Sequence, residues 1–309
     1  MQSNTTCPIL EQYLSYLSII KGRSVCTIKE YRTDILLFFW WISGVRGIQP
    51  AIQDFSFADT AFLENINLGD IYGFITYCQN ELHSSPGTRA RKIVSIRQFW
   101  KHLKKTGILQ KNVAEELETP KQPKRIPRHM SLEESVRLLI AAKGYPRDHC
   151  ILTILLNCAL RISELEALNC TQVSNDILSV IGKGNKERKI FLTPAAKSSI
   201  TVWLELRGLL SVATDALFVS RNGSRMTVRS LQAVVKKYVK IAGFDNEISA
   251  HTLRHTSATL MYKYGRVDIR SLQQILGHES VATTEIYTHI DDSQLQAAVN
   301  SNPLAIMFS

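Results

Sequence analysis

The sequence lacks long apolar runs: its 309 residues contain no stretch of about 18 consecutive apolar residues, the length needed to span a membrane. We therefore expect no membrane contact. The amino terminus, MQSNTTCPIL, has neither the basic patch nor the apolar core of a signal peptide. Both absences predict a cytoplasmic protein.

The sequence also lacks the cysteine pattern of a disulfide-bonded or zinc-binding domain, because its six cysteines form no CxxC pair. Most of them lie in apolar, helix-like stretches, which is typical of reduced core residues in an intracellular protein. They are Cys7, Cys26, Cys78, Cys150, Cys158 and Cys170. Internal repeats and low-complexity tracts are absent as well.

Acidic residues are the scarcer charge. Lys and Arg number 37 against 27 Asp and Glu, which gives a formal net charge of +10 and a pI near 9.3. The basic excess favours a polyanionic partner, with nucleic acid ahead of an anionic membrane surface. An excess that only maintains solubility is the alternative, so charge alone does not decide the function.

One basic segment divides the chain. The stretch TPKQPKRIPRHMS, residues 119–131, contains three prolines and four basic residues but no acid. This composition favours an extended, exposed linker. We therefore expect a helical domain at 1–119, the linker at 120–128 and a second domain at 129–309. The candidates for DNA-backbone contacts in the linker are Lys121, Lys124 and Arg125.

The first domain is predicted to be all-helical from residue 8 to residue 118, because its apolar residues recur at helical spacing. Thr27, with Glu30 three residues later, predicts a capping box at the start of the second helix. The stretch from Pro86 to Thr106, which contains the predicted fourth helix, has seven Lys or Arg residues and no acid, and Thr88 is the candidate N-cap.

This fourth helix has two different faces. Its inward stripe consists of Ile93, Ile96, Trp100 and Leu103. Arg97, Lys101 and Lys105 lie four residues apart on another face. A solvated basic face is the usual explanation for a single helix of this kind. The basic linker that follows makes contact with a DNA backbone the favoured interpretation here.

The second domain has a mixed pattern. Ser131, with Glu134 three residues later, predicts a helix start, and Arg161 lies near the junction of two further helices. The stretch DILSVIGKGNKERKIFLT predicts two short strands around a Gly-Lys-Gly-Asn turn. Further helices are predicted from Pro194, from Val228, from His251, from Asp268 and around Ala282. This order fits an α+β domain with a small antiparallel sheet.

The stretch HTLRH, residues 251–255, suggests either a metal site or a phosphate site. A zinc protease motif requires Glu directly after the first histidine, where this chain has Thr252, and the cation of Arg254 opposes a metal. On a helix, His251, Arg254 and His255 share one face. A guanidinium flanked by histidines suits phosphate oxygens, so the pattern favours a phosphate site over a metal site. A buried arginine that only stabilises the fold is the alternative, and the choice depends on partners elsewhere in the chain.

Possible partners for this cluster lie elsewhere in the second domain. The motifs ALRISEL (159–165), IGKG (181–184), HTLRH, LGH (276–278) and EIYTH (285–289) follow in this order. Together they resemble the motifs of the tyrosine recombinases, also called the phage integrase family. The chain length is similar to that of the Xer recombinases of bacteria. One departure is Ala159, where many members of the family have glycine.

The resemblance implies an all-α, SAM-like core-binding domain that binds DNA, followed by an α+β catalytic domain. It implies site-specific recombination of double-stranded DNA through a covalent 3′-phosphotyrosyl intermediate and a Holliday junction. It also implies four protomers on two DNA sites, as in chromosome or plasmid dimer resolution, in a nucleoid-associated cytoplasmic protein. The sequence identifies neither the DNA target nor an accessory protein.

The resemblance assigns the catalytic positions to Arg161, Lys183, His251, Arg254, His278 and Tyr287. Tyr287 is the expected nucleophile, and Lys183 the general acid that protonates the leaving 5′-oxygen. The two arginines are expected to hold the non-bridging oxygens. His251 assists proton transfer, and His278 donates to the phosphate. Because the phosphotyrosine retains the bond energy and arginines replace a metal clamp, no cofactor or ATP is expected.

Each of these residues also has an ordinary structural explanation. Tyr287 fits a helix end, Lys183 an exposed turn, and His278 a helix cap after Gly277. Glu164, three residues after Arg161, is interpreted as a group that orients the arginine. His255 is interpreted as a residue that supports the cluster without a direct role in the chemistry.

Other functions are weighed against recombination of this kind. A mobile-element integrase of the same class is barely distinguishable by sequence. A catalytically silent DNA-binding regulator is disfavoured by the complete catalytic set, and a metal-dependent nuclease by the lack of clustered carboxylates. The final segment, about residues 291–309, is interpreted as a helix and apolar tail that dock on a neighbouring subunit, although packing on its own domain is the alternative.

Overall fold

The computed structural model describes residues 7–48, 54–120, 128–174, 176–182, 187–245, 247–265, 267–277 and 284. The chain forms two compact units, residues 1–124 and residues 125–309, and each has its own hydrophobic core. Within the described ranges, no helix is long and apolar enough to cross a membrane.

The N-terminal unit is built from helices, as the apolar spacing predicts. Its described helices are α1 (Pro8–Ile19), α2 (Val25–Val45), α3 (Thr60–Glu64), α4 (Leu68–Asn80) and α5 (Pro86–Lys105). Aromatic rings fill the centre of this unit: Phe38 lies edge-on to Phe74 and Trp100, with ring centroids 5.2 and 5.7 Å apart. The predicted inward stripe of α5 is fully buried.

Two predicted N-caps in this unit, Thr27 and Thr88, are wrong by three residues. Ser24 caps α2 and Ser85 caps α5, and their hydroxyl oxygens accept the backbone N–H groups of Thr27 (3.3 Å) and Thr88 (3.2 Å). In both cases a serine lies three residues before the threonine. From that position the serine side chain caps the helix by accepting the N–H of the third helical residue, which is the threonine itself. Pro86 also favours the earlier start of α5, since its fixed backbone suits a first helical turn.

A buried ionic cluster joins α2 to α5. Glu30, predicted as part of a capping box, instead lies 2.8 Å from the guanidinium of Arg91. The fully buried carboxylate of Asp34 accepts hydrogen bonds from Arg91, Lys92 and Ser95. Part of the basic charge of α5 is therefore neutralised inside the unit.

The C-terminal unit combines helices with a three-stranded antiparallel sheet in the order β1-β2-β3. Its described helices are α6 (Leu132–Ala142), α7 (Pro146–Cys158), α8 (Ile162–Ala167), α9 (Pro194–Gly208), α10 (Val228–Ile241), α11 (Ala250–Gly265) and α12 (Ile269–Leu276). The strands are β1 (Val173–Ser174), β2 (Ile177–Ile181) and β3 (Glu187–Phe191). The mostly buried α7 packs against α6, α9 and α11.

Most predicted elements of this unit are confirmed. Ser131 and Glu134 form the expected capping box of α6, and β2 and β3 are the two predicted strands, to which the structure adds the short β1. Helix α11 begins at Ala250, one residue before His251, and Asp268 caps α12. The hairpin turn at 183–186, the linker residues 121–127 and the helix predicted around Ala282 lie outside the described residues.

The six cysteines are all free thiols. Those at positions 7, 78, 150 and 158 are buried and Cys170 is half-buried, which agrees with the predicted core role. Cys26 is exposed, so that role is wrong for this residue. The reason is its place in the first turn of α2, where Val25 is exposed too.

A left-handed residue connects α7 to α8. Ala159 has φ 50° and ψ 35°, and it is completely buried against Ala258, Leu272 and Leu276. Left-handed backbone suits glycine better than any residue with a Cβ atom. The small side chain is tolerated, and the sharp turn places Arg161 at the N-cap of α8.

We expect Ala159→Val to destabilise the C-terminal unit, because a β-branched side chain fits neither the left-handed backbone nor the packed surroundings. The loss in unfolding free energy should be about 2 kcal/mol or more, measured by chemical denaturation. Ala159→Gly is the control. It should be nearly neutral, since relief of roughly 1 kcal/mol of backbone strain offsets the loss of one buried methyl group. A valine variant as stable as the parent would contradict this account.

Candidate active site

The buried carboxylate of Glu164 lies at the centre of the candidate site. Its side chain is only 4% exposed. Arg188 donates to both carboxylate oxygens, each at 2.9 Å, and so forms a bidentate ion pair. Arg161 donates through its backbone N–H at 2.8 Å and through its guanidinium at 2.9 Å. The predicted orienting role of Glu164 toward Arg161 therefore has a direct geometric basis.

Glu164 is held in its ionised form. Burial acts to raise the pKa of this carboxyl group, but hydrogen bonds and charge from Arg188 and hydrogen bonds from Arg161 outweigh it. The pKa is consequently lower than that of an ordinary glutamate. An ionised carboxylate can position cations, whereas it does not serve as a proton donor near neutral pH.

The second candidate arginine, Arg254, is buried in α11 with 3% of its surface exposed. It donates to the carbonyl oxygens of Ala159 and Leu276, the latter at 2.6 Å, and lies 3.8 Å from Glu164. The left-handed turn after α7 thus supplies a carbonyl that helps to fix this guanidinium.

Three arginines converge on the last carbonyl groups of α12. Arg188 donates to Ile275 at 3.2 Å and Arg161 to Gly277 at 3.3 Å, while Arg254 holds the carbonyl between them. Cations are favourable at the carboxyl end of a helix, where the unpaired carbonyls concentrate negative charge. The arginine cluster therefore anchors the chain at the residue immediately before position 278.

Two features favour glycine at position 277, at this helix end. It adopts φ +61°, a left-handed conformation that favours glycine. A Cβ atom there would also lie 3.3 Å from three side-chain atoms of Arg188. Any side chain at position 277 would therefore force the Arg188 side chain to shift.

His251 and His255 lie one turn apart on α11, as the sequence spacing predicts. Their Nε2 atoms are 2.9 Å apart, and their ring planes are inclined by 80°. Partial burial lowers the pKa of His251, and the charges of Arg254 and Arg161 lower it further. The imidazole of His251 is therefore mainly neutral near pH 7, the form that accepts a proton.

The position that a zinc protease motif assigns to glutamate has a structural role here. Thr252 and Ser249 exchange hydrogen bonds between backbone N–H groups and hydroxyl oxygens, at 3.2 and 3.3 Å, and so cap the start of α11. Within the described ranges, no group of three or more His, Cys, Asp or Glu side chains is placed to hold a metal ion.

The structure brings together Arg161, Glu164, His251, Arg254 and His255, in a surplus of positive charge that suits a phosphate group. Other predicted site residues lie outside the described part of the chain; they are Lys183, His278, Tyr287, Lys121, Lys124 and Arg125. Their proposed roles remain predictions.

Arg188 belongs to the cluster but was not among the residues predicted from the sequence. A signal for it exists: alternation along β3 places Arg188 on the same inward face as the buried Ile190, while Lys189 between them is exposed. A cation on the buried face of a strand needs a carboxylate partner. Sequence spacing could not show that this partner is Glu164, which is 24 residues away.

The three predicted DNA-contact residues of α5 have different surroundings. Arg97 donates to the carbonyl of Leu117 and to Thr119 within its own unit. Lys101 and Lys105 are exposed and line a cavity between α1, α2 and α5. Of these three side chains, Arg97 therefore has a clear structural role in the fold.

Comparison with known proteins identifies the family of both units. Residues 128–294 match the phage integrase family, and residues 10–107 match the N-terminal SAM-like domain of phage integrases. The chain belongs to the phage integrase family of tyrosine recombinases. The recombinase has the expected two-domain fold, all-α and then α+β with a small antiparallel sheet. The matched region includes positions 183, 278 and 287.

Curated relatives resemble the recombinase over nearly its whole length. Tyrosine recombinase XerC of Caldanaerobacter subterraneus subsp. tengcongensis is 45% identical over 308 residues, which cover 96% of this chain and 87% of that protein. Tyrosine recombinase XerC of Corynebacterium efficiens is 31% identical over 296 residues, with 94% and 89% covered. The enzyme is a Xer-like site-specific recombinase.

Solved structures agree with this assignment. The XerH site-specific recombinase, in a pre-cleavage complex with difH substrate, matches with a TM-score of 0.70 and 25% identity. The match covers 96% of this chain and 86% of XerH. The XerA recombinase matches with a TM-score of 0.53 and 28% identity, over 95% and 98% of the two chains.

We expect Arg188→Met to lower the unfolding free energy by about 3 kcal/mol, because the buried Glu164 carboxylate loses its bidentate ion pair. Chemical denaturation measures this loss. Lys189→Met is the matched control, since it removes the same charge from the exposed face of the same strand and should change stability by less than about 0.5 kcal/mol. Equal losses in the two variants would refute the role given to Arg188.

We expect the His251 ring to titrate below an unperturbed histidine in an NMR pH series. The pKa of His251 is lower in the folded protein than in the unfolded chain. The unfolding free energy should therefore fall as the pH drops through the ordinary histidine range, because the unfolded chain binds the proton more readily there. Arg161→Gln should raise the His251 pKa by removing one nearby charge, whereas Arg161→Lys should leave it low. A His251 pKa at or above the ordinary value would contradict the site described.

Proposed function

We propose that the recombinase cuts and rejoins double-stranded DNA at a specific site through a covalent bond between Tyr287 and a 3′-phosphate. The observation that carries this proposal is the convergence of Arg161 and Arg254 on Glu164, with His251 near enough for both guanidinium charges to act on it. Two guanidinium groups can neutralise the charge that develops on a phosphate, and a neutral imidazole can accept the proton of a tyrosine that attacks it.

The proposed cleavage is a balanced transesterification. The Tyr287 hydroxyl oxygen attacks the phosphorus, forming a phosphotyrosine bond as the bond to the 5′-oxygen breaks. His251 accepts the tyrosine proton, in keeping with its lowered pKa. Lys183 gives a proton to the departing 5′-oxygen. Rejoining reverses each step with a 5′-hydroxyl from the partner strand, so the phosphodiester energy is retained and ATP is not consumed.

The arginines supply the charge that stabilises the transition state. Arg161 and Arg254 bind the two non-bridging oxygens, and His278 donates a further hydrogen bond. Glu164 and Arg188 touch neither oxygen in this scheme but hold the first two guanidinium groups in position. With these cations in place of a metal clamp, the reaction proceeds without a divalent ion.

The proposal extends to domain organisation and assembly. Residues 1–119 form the core-binding domain, residues 120–128 a basic linker on the DNA, and residues 129–309 the catalytic domain with its docking tail. Exchange between two duplexes breaks four strands, and each tyrosine holds one strand end. A tetramer therefore follows from the chemistry, and the proposal includes exchange of the strands in two pairs, through a Holliday junction.

The proposed cellular role is Xer-like resolution of chromosome or plasmid dimers. Near full-length similarity to XerC proteins, at 45% identity for one of them, supports this role over integration of a mobile element. Since the substrate is the chromosome or a plasmid, the proposal places the protein in the cytoplasm in association with the nucleoid.

We expect a covalent protein–DNA adduct when the protein meets a nicked suicide duplex in EDTA. Loss of the short 5′-hydroxyl fragment traps the phosphotyrosine, which is detected on a denaturing gel. The binding site for this duplex is first selected from random-sequence DNA with Tyr287→Phe protein. Tyr287→Phe should form no adduct while it still binds the duplex. Tyr264→Phe, at an exposed position on α11, is the matched control and should retain the adduct.

Two outcomes would overturn the proposed chemistry. One is a strict requirement for Mg²⁺ in adduct formation, because the arginine clamp makes a metal unnecessary in the scheme. The other is an adduct that survives Tyr287→Phe, since a different nucleophile would then be responsible.

A further inference from the structure

The histidine pair on α11, His251 and His255, shares one hydrogen bond. It joins the Nε2 atoms of the two rings, which are 2.9 Å apart, while the ring centroids lie 4.3 Å apart and the planes are inclined by 80°. A neutral imidazole has one N–H donor and one bare nitrogen that accepts. One Nε2 atom therefore carries a proton and the other is bare, and the Nδ1 atom of each ring has the opposite state.

The direction of this hydrogen bond determines what His251 can do. If His255 donates, the Nδ1 atom of His251 carries the proton, and this nitrogen can donate but cannot accept. If His251 donates, its Nδ1 atom is bare and can take up a proton. Only the second arrangement leaves an acceptor for the proton of a tyrosine hydroxyl group, because the Nε2 atom is engaged with the partner ring.

A proton taken up by His251 needs a neighbouring acceptor, because the surroundings of this ring are positively charged. Arg254 on the same helix and Arg161 at the N-cap of α8 both disfavour the imidazolium form. The ring also lies in the first turn of α11, where unpaired backbone N–H groups concentrate positive charge. The carboxylate of Glu164 is hydrogen-bonded to arginines instead.

His255 is the group placed to supply this acceptor. Where a histidine acts as a base, a third group usually accepts its other N–H and stabilises the protonated ring. A carboxylate commonly has this role. At a site that binds a phosphate, a neutral acceptor has an advantage, since a further carboxylate would repel the phosphate and compete with it for the guanidinium groups.

The position of His255 is fixed by its neighbours on α11. The buried Arg254 donates to two carbonyl groups outside this helix. The hydroxyl group of the buried Thr256 accepts the backbone N–H of Met130 at 2.9 Å. His251 is exposed and His255 is half-buried. The exposed ring can therefore meet a substrate, and the half-buried ring is held where it can orient the exposed one.

We propose that His255 is a positioning residue of the reaction: its Nε2 atom accepts the Nε2–H group of His251 and so keeps the Nδ1 atom of His251 ready to take the proton of Tyr287. The inference rests on the proposed function. As the oxygen–phosphorus bond forms, the tyrosine proton moves to Nδ1, and the hydrogen bond from Nε2–H to His255 becomes charge-assisted and stronger. On rejoining, the proton returns to the tyrosine oxygen, so His255 neither gains nor loses a proton.

The first test measures single-turnover formation of the covalent adduct with the nicked suicide duplex. His255→Leu removes the acceptor and should slow the reaction about 100-fold, near the lower end of what a general base contributes. His255→Gln offers a side-chain oxygen as acceptor and should recover most of this loss. The control is His149→Leu, which removes another partly buried imidazole about 15 Å along α7 from Ala159 and should react like the parent. Duplex affinity should be the same in all four proteins.

The pH profile of this rate separates positioning from a merely structural role. His251 acts in its neutral form, so the rate falls as the pH drops through its pKa. Without the acceptor the protonated ring is less stable, so in His255→Leu the fall should move to lower pH, whereas in His255→Gln it should stay near that of the parent. A structural role would lower the rate alike at every pH. An unmoved profile in His255→Leu, or a glutamine variant as slow as the leucine variant, would overturn the proposal.

A measurement on the parent protein without DNA tests the direction of the hydrogen bond itself. In protein with isotope-labelled histidine, nitrogen NMR shifts distinguish protonated from bare ring nitrogens, and His251→Gln identifies the signals of His251. This residue should have a protonated Nε2 and a bare Nδ1 near neutral pH, and His255 the converse. The reverse tautomers would contradict the inference even in an active enzyme. A parent that forms no covalent adduct with any selected duplex would instead refute the proposed function, whatever tautomers are found.

Discussion

One ionised carboxylate, that of Glu164, makes the candidate active site possible. Three guanidinium groups lie around it, and without a buried negative charge they would repel one another. Its contacts reach the N-cap of α8, strand β3 and helix α11. The same group therefore joins three elements of the unit and sets the geometry of two candidate catalytic arginines.

The arginines also fix the end of α12. Their hydrogen bonds to three successive carbonyls oppose the partial negative charge at a helix carboxyl end. Gly277 permits this approach because it has no side chain. In the same way, the left-handed Ala159 turns the chain so that its carbonyl meets Arg254.

In the N-terminal unit, the basic residues of α5 differ in whether they have hydrogen-bond or ion-pair partners within the unit. The basic residues of α5 look alike in sequence, yet Arg91, Lys92, Arg97 and Lys104 have partners within the unit. Lys101 and Lys105 instead are exposed and border a cavity between α1, α2 and α5. Net basic charge therefore overstates how much of α5 is available to an outside anion.

The sequence by itself determined the helical first unit, the β2–β3 hairpin and the i, i+3, i+4 grouping of His251, Arg254 and His255, because these follow from local periodicity and turn chemistry. Ordered motifs also indicated the family. Tertiary structure alone decided that Arg188 pairs with Glu164, that Ser24 and Ser85 cap their helices, and which basic residues of α5 have partners within the unit. The sequence cannot show these outcomes, because some partners are distant in sequence and some neighbouring residues, such as a serine and a threonine three apart, are equally suitable as N-caps. Only the folded chain shows which partner is used.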